Sequence, residues 1–182
     1  MSVADTLASN PALVVVLALV MRAGLAWQRS LTWPEYRPLH GLKRLAFPPL
    51  ARTGRIPISL INEKGGRDDA EFLRTVSTDV RGTVKRLTAA GGSLHLIASV
   101  KRRPSAHGDP LTAAHVVFDH GTDQTEAYLF RNDDGATDVY AHFEPSPETP
   151  LEHLGGDAQQ DGDPRGVVGA ALGGSQLNGK DA

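Results

Sequence analysis

The 182-residue chain has no cysteine. Disulfides, thiolate-bound zinc, iron–sulfur clusters and thiol catalysis are therefore excluded. Aromatic residues make up only 5%, with two Trp and three Tyr, so a core of Val, Leu and Ala is expected. The motifs Gly-x-Ser-x-Gly and His-Glu-x-x-His and the glycine-rich dinucleotide fingerprint are missing. Gly174 to Lys180 has the spacing of a phosphate loop, but Asp181 stands where a magnesium-binding Ser or Thr is required. Nothing sets a nucleophile beside a base. The sequence therefore reads as non-enzymatic, and no cofactor is implied.

Net charge is −2, yet the charge is divided along the chain. Residues 1–103 hold 16 Lys and Arg against 7 Asp and Glu, whereas residues 104–182 hold 3 against 14. Such a split suits an anionic partner for the first half, or pairing of the halves within or between subunits.

One long apolar stretch is present. It runs from Ala12 to Met21 and continues past Arg22 to Trp27. The 17 residues from Pro11 to Trp27 would span about 25 Å as a helix, just short of the roughly 30 Å of a hydrocarbon core. The leading expectation is a transmembrane anchor with Arg22, Trp27, Arg29, Trp33 and Tyr36 at the membrane interface. The positive-inside rule would then leave the N-terminus outside and the domain cytoplasmic. The alternatives are a hydrophobic arm buried in a protein partner or oligomer and a cleaved signal peptide.

Residues 1–27 are thus read as a hydrophobic segment and 28–55 as a basic, Pro-rich juxtamembrane linker with at most a short helix around Leu39–Ala46. Residues 56–144 form the expected α+β domain, and 145–182 an acidic, Gly/Pro-rich tail. Asp163-Pro164 offers a cap and a first position for a short helix through Leu172.

Within the domain a first strand is expected at Ile56–Ile61. A long helix follows over Asp68–Ala90, because Leu73, Val76, Val80, Val84 and Leu87 recur at spacings of three and four. Gly91 would end it. Four strands follow, over 93–101, 112–119, 124–131 and 137–144, alternating with a period of two. The turns are His120–Asp123 and Asn132–Gly135. The expected fold is one long helix packed on an antiparallel β-meander, in the order β-α-β-β-β-β, with one solvated sheet face.

Two constellations carry chemistry. Arg74, Arg81 and Lys85 fall on one helix face, and Lys101, Arg102 and Arg103 end a strand. Together they are candidates for an anionic partner, with nucleic acid possible but not favoured. His115, Asp119, His142 and Glu144 have metal-ligand chemistry. However, the strand between them sets the two pairs about 9–10 Å apart, too far to share a metal easily, and polar residues on a solvated face account for them better. No metal is therefore expected. The function expected is that of a non-enzymatic, membrane-anchored interaction protein. The alternatives are a structural subunit of a virion, soluble or cell-envelope assembly, homo- or hetero-oligomeric, and a nucleic-acid or anion binder.

Overall fold

The computed structural model describes residues 10–52, 61–62, 71–96, 100–103, 108–146 and 163–173. The expected strand over 56–60, the start of the expected long helix and most of the C-terminal tail lie outside the described residues.

Among the described residues the fold is mixed α+β, with a five-stranded antiparallel sheet and four helices. Two helices come first, α1 (Pro11–Arg29) and α2 (Trp33–Arg52). The sheet strands are β2 (Glu71–Val76), β3 (Ser93–Leu94), β5 (Ala114–Asp119), β6 (Asp123–Arg131) and β7 (Thr137–Pro145). They are ordered β2-β7-β6-β5-β3. The remaining strands, β1 (Ile61–Asn62) and β4 (Val100–Lys101), pair in parallel apart from that sheet. Helices α3 (Val80–Ala89) and α4 (Pro164–Ala171) lie on one sheet face.

The meander is where the alternation put it, since β5, β6 and β7 pair in sequence with regular register. The long helix is not. Its first half is strand β2, and the helix begins only at Val80. The helical spacing of Leu73 and Val76 has another cause. The β2–β7 register shifts between Phe72 and Arg74, and such a bulge lets residues three apart share a sheet face. Both are buried in the core. The true N-cap is Asp79, whose carboxylate accepts from Gly82 N at 2.7 Å. Gly91 does end the helix, at φ +99°.

The single strand expected over 93–101 is likewise two short strands belonging to different sheets. Segment 28–55, expected as a linker, carries the 20-residue helix α2. Thr32 and Glu35 cap it, with Thr32 N and Oγ1 donating to Glu35 Oε2 at 2.8 and 2.6 Å. Pro34, beside the cap, removes only a donor that the first turn leaves unpaired.

The apolar face of the sheet packs Val116, Ala127, Leu129 and Val139 against Val80, Val84 and Leu87 of α3 and Val168 and Leu172 of α4. Helix α2 closes the β5 edge with residues one or two turns apart. Tyr36 Oη accepts from His115 N at 3.1 Å. His40 Nε2 donates to the Thr112 carbonyl at 3.0 Å. Lys43 Nζ donates to the Leu96 carbonyl at 2.6 Å, and Arg44 pairs with Asp109.

His40 makes this edge sensitive to acid. Burial lowers its pKa from 6.5 to about 3; Lys43, Arg44 and His115 push the same way, and the Thr112 bond opposes them. The imidazole is neutral in the folded chain, so the unfolded chain binds the extra proton. Stability is expected to fall as pH drops below about 6.5, by up to about 1.4 kcal/mol per pH unit from this group. Urea unfolding from pH 7 to 4 should show the difference between wild type and His40→Gln shrinking or reversing as pH falls. A difference constant across that range would show His40 to be charged or exposed.

Candidate metal centre

The second sheet face is not solvated at its middle. Strand alternation places Gln124, Glu126 and Tyr128 of β6 on that face, between His115 on β5 and His142 and Glu144 on β7. His95 joins them just after β3, where its N donates to the His115 carbonyl at 2.9 Å. Its backbone neighbour Leu96 is fixed from both sides: Leu96 N donates to Gln28 Oε1 of α1 at 3.2 Å, and its carbonyl accepts from Lys43 of α2. The helices therefore set the position of a site residue on the sheet.

Glu126 is the hub. It is 4% exposed, and His95, His115 and His142 are all under a tenth exposed. His115 Nε2 and His142 Nε2 both lie 3.2 Å from Glu126 Oε2, and His95 Nδ1 lies 3.3 Å from Oε1. Tyr128 Oη donates to Oε2, and Gln124 Nε2 donates to Oε1 at 3.0 Å. His142 also reaches Glu144 Oε2 at 3.2 Å.

The electrostatics separate the two flanks. Burial pushes the His115 pKa down to about 4, against the pull of Glu126. His142 is pushed down by burial too, but its bonds to Glu126 and Glu144 dominate and raise it to about 9. Burial would raise the Glu126 carboxyl, yet His115, His142 and His95 around it hold it well below the usual carboxylate range. At neutral pH the metal-free cluster therefore comprises an anionic Glu126, a cationic His142 and a neutral His115.

Two donor sets result, His95–His115–Glu126 and Glu126–His142–Glu144, each with its ligand atoms within 4.8 Å of one another. The first set has unmet bonding capacity. His95 Nδ1 and both ring nitrogens of His115 are buried with no hydrogen-bond partner among the described residues. Two of these atoms, His95 Nδ1 and His115 Nε2, stand 3.3 and 3.2 Å from the two Glu126 oxygens. Donors bound at 2.0–2.2 Å in a tetrahedral site would be about 3.3–3.6 Å apart, and the two nitrogen–oxygen separations lie at the short end of that range.

No protein-family model, curated protein or solved structure matches the chain.

The structure redistributes the residues singled out in the sequence. His115 and His142 are brought together through Glu126. Asp119 is not; it is exposed and pairs with Arg29 at 2.6 Å. Glu126 and His95 went unrecognised. The signal for Glu126 was available, because it is an acidic residue on the same face of the strand lying between the two histidines. His95 had none, since the single strand expected there hid its turn onto this face.

The basic residues do not form one patch. Arg74 is on strand β2, not on the helix with Arg81 and Lys85. Lys101 Nζ lies 5.3 Å from the centre of the Tyr128 ring, and half-buried Arg102 forms a β-bridge with Leu111. Arg103 is buried and bonded to Asp138, Asn132 and the Arg131 carbonyl. The residues expected at a membrane interface also divide. Arg22 and Trp27 are exposed on α1. Trp33 packs on the core beside Tyr36, which is fully buried. Among the described residues no helix is long and apolar enough to cross a membrane.

Proposed function

We propose that the protein is a metal-binding domain that holds one divalent transition ion between His95, His115 and Glu126. The observation that carries this is the pair of buried imidazoles with unpartnered nitrogens facing one carboxylate. Two imidazoles and a carboxylate suit zinc, nickel or iron(II) better than magnesium or calcium. His142 and Glu144 would act from outside the ligand set, fixing Glu126 in place, as the outer partners of metal ligands do. The ion would tie the two-residue strand β3 and its following turn to the centre of the sheet. That is a binding and structural role, and it needs no catalytic group.

The test is dialysis of chelator-treated protein against buffered zinc, followed by elemental analysis. One ion per chain is expected, with affinity at least about 100-fold weaker in Glu126→Gln. Equal zinc retention by wild type and Glu126→Gln would refute the site.

A second reading concerns the helices. Val15, Val16, Leu19 and Val20 on α1, with Leu42 and Leu45 on α2, are each more than half exposed. Apolar side chains this exposed on successive turns favour a docking role for the helices, onto a membrane or within an assembly. Flotation with anionic vesicles would support membrane docking. A soluble monomer that ignores vesicles would count against both forms of it.

A further inference from the structure

A concavity among the described residues lies away from the histidines, between the α1–α2 turn and α3. Its volume is about 610 Å³, and an adjoining hollow of about 500 Å³ shares Trp33 and Arg81 with it. Each is within the roughly 300–1,000 Å³ of small-molecule sites. The floor is apolar, formed by Leu31, Val84 and Leu94 with Trp33 along the side. The rim is cationic, with Arg81 and Lys85 from α3 and Arg37 from α2.

The polar groups of the lining are unequally committed. Asp79, its one carboxylate, is engaged as the α3 cap. Thr32 Oγ1 donates to Glu35, and Thr88 Oγ1 to the Val84 carbonyl. The three cations have no ion pair among the described residues, in contrast to Arg29, Arg44 and Arg103. A hollow with an apolar floor and uncommitted positive charge at its rim is complementary to a ligand of mixed character.

We infer that this groove binds an amphiphilic anion, an apolar body with a carboxylate or phosphate head group, the body lying on Leu31, Trp33 and Leu94 and the head meeting Arg81 and Lys85. The inference is independent of the metal centre, whose residues do not line the groove.

Trp33 supplies the readout, because the chain has only one other tryptophan, Trp27. Trp27→Phe protein is titrated with dodecanoate, dodecyl phosphate and dodecanol below their critical micelle concentrations. The expected result is a saturable, one-to-one change in Trp33 emission with either anion and binding at least tenfold weaker with dodecanol. Whichever anion binds more tightly identifies the head group. Arg81 and Lys85 are solvent-exposed on α3, so Arg81→Glu/Lys85→Glu should keep its far-ultraviolet circular dichroism while losing at least tenfold in affinity. Equal affinity for dodecanol, or undiminished anion binding by the folded double variant, would overturn the proposal. A response seen only with micelles or vesicles would overturn it in favour of a membrane surface.

Discussion

Glu126→Ala should destabilise the metal-free protein by roughly 3–5 kcal/mol, the usual effect of removing one partner from a buried charged network. Five side chains converge on this carboxylate: His95, His115, His142, Gln124 and Tyr128. Alanine leaves the phenol of Tyr128 without its principal acceptor, and leaves Gln124 and His142 with Glu144 as their remaining carboxylate partner. Glu126→Gln keeps the volume and one acceptor oxygen, so it should cost less while still losing the ion. Denaturant unfolding at pH 7 with a chelator present separates the two variants. An alanine variant within 1 kcal/mol of wild type (about the scale of one ordinary hydrogen bond) would show that the carboxylate is not the centre of the network.

Arg103→Ala is expected to be as damaging, for a different reason. Arg103 is 4% exposed, and its guanidinium bridges two segments of the sheet. It pairs with Asp138 on β7, bonds to Asn132 and to the Arg131 carbonyl at the β6–β7 turn, and lies 5.1 Å from the centre of the Phe130 ring. Truncation strands Asp138, although Asn132 Nδ2 and Thr75 Oγ1 still donate to it at 2.8 and 2.6 Å. A loss of roughly 3–5 kcal/mol is expected, read as a lowered denaturant midpoint with an unchanged slope. If Arg103 instead served an anionic partner at the surface, alanine would leave folding intact and remove only a salt-dependent binding activity.

These two residues show how far the sequence could be read. Arg103 in the run Lys101-Arg102-Arg103 resembles any exposed basic cluster, because a one-dimensional pattern carries no information about which cation folds under a ring and meets a carboxylate 35 residues away. Glu126 was within reach. Period-two alternation defined the meander, and its register placed an acid between His115 and His142. The 9–10 Å separation that argued against a shared site is the space that the central strand's side chain fills. The misplaced helix start has an equally local origin. A bulge at Leu73 imitates helical spacing and so carries the expected helix back past the true cap at Asp79. Helix α2 was obscured by its four prolines, which lowered its apparent propensity, whereas the contacts of Tyr36, His40 and Lys43 with the sheet edge stabilise it through tertiary structure.

The central claim is that His95 and His115 bind one ion together. The most direct measurement is zinc titration of chelator-treated protein carrying ¹⁵N-labelled imidazoles, followed by NMR. Ring-nitrogen resonances of His95 and His115 should move together and saturate at one equivalent, while those of His40 and His120 stay in place. If the His95 and His115 resonances do not move, or move only with a large excess of zinc, the cluster is a buried hydrogen-bonded network and the metal-binding reading is wrong.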